Sequence, residues 1–265
     1  MLKYTQLKGV FMKYFLLVLI VAGFLYGDVE KTYYPNGVLK TELPSKNGKK
    51  EGTEKYYFEN GQLMNEVSYI DGKLEGIEKY YHDNGKLKHE IPYKNDKKDG
   101  LEKHYWYGKL SYEIPFIKGK KEGTEIHYHE NGKLRDETPY HRGKKEGMLK
   151  AYYESGQIWY EAPYKRGKKE GTVKTYYENG KISDEVPYKN GKKEGLAMGY
   201  YNGVLLYETP FRNGKEEGVD KLYYENGKVK KEIIYEAGKV IGGSYYKPDG
   251  TKNEMEKVDI EKLNK

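Results

Sequence analysis

A period of 23 or 24 residues runs through this chain and leaves few architectures open to it. A Glu-Gly or Asp-Gly pair ends at Gly52, Gly76, Gly100, Gly123, Gly147, Gly171, Gly195 and Gly218, at successive spacings of 24, 24, 23, 24, 24, 24 and 23 residues. Self-similarity at a fixed period of this size indicates stacked supersecondary units, each of which needs its neighbours to bury a face. The stretch from Tyr69 to Tyr93 shows one unit in full: Asp71-Gly72, a charged link to Glu75-Gly76, a run rich in Tyr and Lys, Asn84-Gly85, and a second such run.

The type of unit follows from its residues. In Thr53-Glu54-Lys55-Tyr56-Tyr57-Phe58 and Leu63-Met64-Asn65-Glu66-Val67-Ser68-Tyr69, β-formers flank Asn60-Gly61. Asn-Gly between such runs is the strongest short hairpin signal, because a type I′ turn needs positive φ at both central residues. Counting outward from that turn pairs Phe58 with Leu63, Tyr57 with Met64, Lys55 with Glu66 and Glu54 with Val67. Alternation along a strand then puts Phe58, Leu63, Val67 and Tyr69 on an apolar face, and Tyr57, Lys55 and Glu66 on a Tyr-Lys-Glu face. The Tyr and the Glu recur in nine units, from Tyr33 and Glu42 to Tyr223 and Glu232; Lys fails only at Ile126 and Met198. A feature present in every unit holds units together rather than forming one active site. Each cross-strand ion pair is worth about 0.2–1 kcal/mol, and nine in a row also fix register.

Two units lack a residue beside the turn, at Tyr105-Trp106-Tyr107-Gly108-Lys109 and Tyr200-Tyr201-Asn202-Gly203, which predicts intact strands and a changed turn type. Prolines fall at one position, from Pro44 to Pro210, where a ladder bond is absent or a bulge stands. Stacking gives roughly 18 strands, on the order of 85 Å at about 4.8 Å each.

Composition supports the repeat reading and excludes several functions. The chain is 36% hydrophobic, but tyrosine supplies 31 of its 265 residues, too few aliphatics for a deep core. A charged fraction of 34% would suit disorder, except that disordered chains are poor in aromatics. The absence of cysteine excludes disulfides, thiolate metal sites and cysteine nucleophiles. The net charge of +7 includes Lys3, Lys8 and Lys13; without residues 1–27 it is +4, with Lys and Glu interleaved, which argues against nucleic acid.

Those three lysines precede Tyr14 to Gly27, an uncharged run of 14 residues. It falls short of the ~18–20 apolar residues of a membrane helix and resembles a secretory signal peptide, with cleavage after Gly23 or Gly27. An uncleaved anchor is the other reading. No Cys follows, so the chain is not a lipoprotein, and Met12 is a more typical start for such a leader than Met1.

The unit from Tyr176 to Gly195, with its Tyr-Tyr-Glu-Asn-Gly-Lys opening and Asn-Gly-Lys-Lys-Glu-Gly close, resembles the bacterial MORN repeat variant of YwqK-family antitoxin proteins. The resemblance covers Asp28 to Gly250. It implies a non-catalytic β-hairpin array used for binding or scaffolding. The unit has Tyr-Tyr-Glu-Asn-Gly where the more familiar MORN form has Tyr-Glu-Gly-x-Trp, which counts against lipid binding. An antitoxin would have a cytosolic toxin as partner, at odds with the leader.

No site chemistry emerges. The Gly-Lys turns lead into no helix, so the phosphate-loop reading fails, and the serines have no His-Asp partners. His127 and His129 lie two residues apart with His104 one repeat away, a conceivable loose metal site. Their columns hold Tyr or Lys elsewhere, which favours simple substitution. The aromatic column of Phe58, His82, Trp106, His129, Tyr153, Tyr177, Tyr201 and Tyr224 is expected to pack, with a carbohydrate or peptide groove as the other use.

The sequence thus predicts an all-β, elongated antiparallel β-hairpin repeat array, a MORN-like meander or solenoid of about nine repeats. Residues 1–27 form the leader, 28–250 the repeats and 251–265 a polar tail or cap. The expected function is an exported, non-enzymatic scaffold binding a protein or cell-envelope partner; the alternative is an antitoxin or immunity protein that neutralises a toxin. No cofactor, metal or catalytic residue is expected, and self-association remains open. The expected binding residues are Trp106, Trp159, Tyr153, Tyr177 and Tyr201.

Overall fold

The structure is a computed structural model and describes residues 27–264. The predicted leader therefore lies outside the described residues, apart from Gly27. Among the described residues twenty-eight strands pair antiparallel in hairpin repeats, and the one helix is Lys257–Leu263. The expected 18 strands rise to 28 mainly because each Lys-Lys link is itself a two-residue strand, as at Lys49–Lys50 and Lys144–Lys145. The chain divides into two compact units, one ending at Lys120 and one starting at Lys121.

In the first unit the hairpin Gly52–Tyr57 with Leu63–Ile70 is typical, and it corrects the expected turn. Gly61 N donates to Phe58 O at 2.9 Å, and Phe58 N donates to Gln62 O at 2.8 Å, closing a three-residue loop. Only Gly61 takes positive φ, at 84°. This is the type I turn with a left-handed glycine, rather than type I′. Asn60 serves through its side chain, whose Oδ1 accepts from Gln62 N at 3.0 Å. A bulge follows: Tyr57 pairs with Leu63, Tyr56 with Asn65, and Met64 has no partner in the ladder. The predicted pairs Phe58–Leu63 and Tyr57–Met64 are therefore wrong by this bulge, whereas Lys55–Glu66 and Glu54–Val67 hold.

Type I′ turns form instead at the other connection. Asn47 and Gly48 have φ of 52° and 75°, and Asp71 and Gly72 have 51° and 80°. The next glycine, Gly52, also has positive φ, and a Cβ there would meet the Pro44 ring at 3.4 Å. In the two short repeats the change of turn is as predicted: Tyr107-Gly108 and Asn202-Gly203 are two-residue turns with positive φ throughout. Their strands lengthen to Gly100–Trp106 and Gly195–Tyr201.

The second unit repeats the same hairpin from Gly123–Tyr128 onward. Its buried apolar residues are mostly small: Ala151, Ala162, Val173 and Ala197, with Ile233, Val240 and Met255 near the end. The tail is ordered. Lys252–Glu254 pairs with Lys239–Tyr246, Met255 and Ile260 pack against Ile233 and Val240, and Asn264 bonds both N and O of Val240. A polar strand edge is thereby covered, which keeps it from recruiting further strands.

Candidate functional site

Alternation splits each sheet into two faces, and register decides what stands in each row. On one face of the first unit, Glu42 lies opposite Lys55, Glu66 opposite both Lys55 and Lys79, and Glu90 opposite Lys103. In the second unit the row runs Glu137, Lys150, Glu161, Lys174, Glu185, Met198, Glu208, Lys221, Glu232. Recurrent tyrosines tie this row to the preceding repeat: Tyr57 donates to Glu42 at 2.9 Å, Tyr176 to Glu161 at 2.7 Å and Tyr223 to Glu208 at 2.7 Å. Burial, and then the bond to the carboxylate, push the Tyr57, Tyr176 and Tyr223 hydroxyls up to about 12. They stay neutral donors at physiological pH. The face can offer hydrogen bonds and charge.

Beside the ladder runs a row that sequence reasoning missed. The residue after each positive-φ glycine is often aliphatic and lies opposite a proline: Ile77 with Pro92 and Leu101 with Pro115 in the first unit; Met148 with Pro163 and Leu196 with Pro210 in the second. Met148, Leu196, Val219 and Ile234 remain 40–42% exposed. At the C-terminal end of the second unit, Leu196, Pro210, Val219 and Ile234 wall a groove of about 550 Å³ opposite Glu208, Lys221, Glu232 and Ser244. The period-wide recurrence of Gly-aliphatic and Pro at fixed offsets was the available signal.

The opposite face is not simply apolar, as expected from Val67 and Tyr69. Glu54 and Glu102, 2% and 5% exposed, are buried among its aromatics. Glu54 is held by Lys50 and Tyr56, and Glu102 by Lys98 and His104. Both partner lysines come from the link strand four residues earlier, a Lys-x-x-x-Glu spacing legible in the sequence. In the second unit Asp184 takes bonds from Tyr207 at 2.6 Å and Thr175 at 2.8 Å.

The predicted binding aromatics are spread out. Trp106, in the first unit, is 58% exposed and meets Tyr107 edge-on at 5.2 Å. In the second unit Trp159 is 40% exposed beside Tyr160, and Tyr201 is 54% exposed, edge-on to Tyr177 at 6.0 Å. Tyr153 and Tyr177 are half-buried, and their hydroxyls donate to the backbone of the next repeat, at Tyr176 O and Tyr200 O. Trp106 and Tyr201 stand out because the two-residue turn draws them into a strand, opposite Lys109 and Val204.

The histidines serve separate local bonds. His104 bonds Glu102 at 2.6 Å and stacks on Tyr112, with His89 4.3 Å from it on the other side. The Nδ1 atoms of both His89 and His104 are buried without a partner. Burial, and then the neighbouring His104, lower His89 to about 4. His127 bonds Glu125, and His129 bonds Tyr152 O. Among the described residues no group of three or more His, Asp or Glu is placed to hold a metal ion.

Seven stretches, together more than half of the chain, match the family described as MORN repeat variant: residues 29–47, 50–71, 74–95, 121–142, 145–166, 169–190 and 216–240. The gaps after 95 and 190 coincide with the two short repeats. No curated protein matches the chain. Among solved structures, a chain of "Crystal Structure of TcdB2-TccC3-Cdc42" is similar over 86% of this chain, at 11% identity and a TM-score of 0.18. This chain covers 15% of that chain's length.

Proposed function

The chain belongs to the MORN repeat variant family, and from that premise we propose that it is an exported, non-enzymatic scaffold that binds a protein partner at the cell envelope or surface. The observation that carries the reading is the exposed aliphatic-proline row beside the Lys-Glu-Tyr ladder, with its groove at Leu196, Val219 and Ile234. Such a strip offers apolar contact flanked by alternating charge, the core-and-rim composition of a protein interface. Trp106, Trp159 and Tyr201 supply exposed aromatic anchors, and aromatics dominate interface energetics. Tyr153 and Tyr177 contribute ring edges, since their hydroxyls are engaged. The non-enzymatic part rests on the family's scaffold character and on a ladder whose tyrosines and glutamates are bonded to one another.

Two measurements test it. N-terminal sequencing after fractionation of native cells should find a mature end near Phe24 or Asp28 in the envelope or medium. An intact Met1 or Met12 in the cytosol would overturn export and favour a toxin-neutralising role. Chemical crosslinking in the fraction that holds the protein should give a defined adduct that Leu196→Asp with Val219→Asp abolishes at unchanged thermal stability. An adduct indifferent to both changes would place binding elsewhere.

A further inference from the structure

The turns that join one repeat to the next are not all alike. In the first unit two of the four tips carry an acid: Asp71 accepts from Lys49 Nζ at 2.6 Å, and Asp96 occupies the tip at Lys94–Lys97, whereas Lys46–Lys49 and Ile117–Lys120 hold none. Like charges face each other there at two tips, Lys46 with Lys49 and Lys94 with Lys97. In the second unit the tips read His-Arg-Gly-Lys, Lys-Arg-Gly-Lys, Lys-Asn-Gly-Lys and Arg-Asn-Gly-Lys from His141 to Lys215, without an acid. Register sets like charges directly opposite: Lys165 with Lys168, Lys189 with Lys192, and Arg212 with Lys215. Such juxtaposition is unfavourable in itself. All six side chains are exposed, and none enters an ion pair among the described residues.

The glutamates that dilute this charge keep their own charge beside the tips, and each of the four tips still holds more cations than carboxylates. Glu146, Glu170 and Glu194 fold onto the backbone of the following tip, accepting from Arg166 N, Asn190 N and Asn213 N at 2.6–2.7 Å. The tips are also tied in line, with Gly191 N donating to Lys169 O and Gly214 N to Lys193 O, both at 2.9 Å. Successive tips are one hairpin apart, two strand spacings or about 10 Å. The second unit therefore holds a pre-set line of paired cations at a regular interval, on an edge distinct from the ladder face.

We infer that this line of tips binds a linear carboxylated polysaccharide. Charge complementarity calls for a chain-like polyanion, and the surroundings select its kind. The rings nearest the tips, Tyr164, Tyr188 and Phe211, each carry a lysine over the ring, Lys145, Lys169 and Lys193 at 4.4–5.2 Å, which competes with base stacking there. The tips contain no apolar side chain to enter a bilayer interface. A hydroxylated chain bearing carboxylates at intervals needs neither. This surface does not depend on the ladder face or its partner.

The test is binding of polygalacturonate to the full chain, measured by calorimetry across salt concentrations. Lys168→Gln, Lys192→Gln and Lys215→Gln together should weaken binding by about tenfold or more and flatten its salt dependence, at an unchanged melting temperature. Lys49→Gln, Lys73→Gln and Lys97→Gln make the same charge change in the first unit, and affinity should stay within about twofold. Equal losses for both variants would show attraction to net charge alone and overturn the site. Tighter binding of an oligodeoxythymidylate of equal charge, or binding to phosphatidylglycerol vesicles but not to the free polymer, would overturn the polysaccharide.

Discussion

Gly199→Ala isolates one packing decision in the second unit. Gly199 is buried in Gly195–Tyr201, opposite Tyr207, and its φ lies outside the left-handed region. Backbone conformation therefore gives no reason for glycine, and alanine should gain about 0.5–1 kcal/mol from the unfolded chain. The tyrosine decides otherwise. A Cβ would sit 1.9 Å from Tyr207 Cε1 and 2.4 Å from Cζ, so the ring must retreat by about 1.5 Å to reach ordinary contact. It cannot do so and keep its 2.6 Å bond to Asp184. Burial works against ionised Asp184, yet bonds from Tyr207, Thr175 and Ser183 hold its carboxyl below the usual range. Losing a buried bond to a charged group costs about 1.5–3 kcal/mol, and overpacking about 1–3 kcal/mol. The net loss should be about 1.5–5.5 kcal/mol once the backbone gain is set against it. Denaturant unfolding with hydrogen exchange should show faster exchange in Ile182–Lys189 and Val204–Arg212. In a Tyr207→Ala background the same substitution should be neutral or stabilising. Equal losses in both backgrounds would refute the steric account. Ala151 opposite Tyr160 shows that this row can hold a Cβ when the ring lies elsewhere.

Other expectations concern single ties. Tyr176→Phe removes the bond to Glu161 and should cost about 1–2 kcal/mol, read as a lower unfolding midpoint with unchanged far-UV dichroism. Glu170→Gln weakens the tie to Asn190 N, and exchange of that amide should accelerate while global stability changes by less than about 1 kcal/mol. His89 is lowered to about 4 and faces Tyr80, His104 and Glu102, with Lys88 and His82 nearby. Its folded value lies below the unfolded one near 6.5, so its contribution is intact above pH 6.5 and is lost as pH falls toward 4. After allowance for solvent screening this is on the order of 1 kcal/mol. His89→Asn, which copies Asn65 at the same register position, should remove that part of the pH dependence; an identical profile would exclude His89 as its source.

The period made the fold legible, because every unit repeats the same alternation and Lys55–Glu66 pairs however the turn is drawn. The turn itself was not legible: Asn-Gly satisfies type I′ and the three-residue loop equally, and what separates them is the φ of the Asn and the backbone bonds that close the loop at Phe58 and Gln62. That ambiguity shifted the pairing at Met64 and spared Glu66. The buried carboxylates escaped notice because their partners, Lys50 and Lys98, arrive from a link strand that reads as a solvent-exposed loop. Charge interleaving along the sequence likewise concealed how glutamates fold inward at the tips while lysines do not.

The ties between repeats share a short reach: 15 residues from Tyr57 to Glu42, 20 from Asp71 to Glu51, 23 from Tyr34 to Tyr57. Closing loops of that length carries little entropic penalty, and contacts this local favour rapid folding. Within each unit a repeat needs only its immediate neighbours to complete its bonds. A ribosome or a translocation pore releasing such a chain from its N-terminus would let structure grow behind it one hairpin at a time. Each newly emerged segment would dock on a finished edge instead of waiting for a distant terminus.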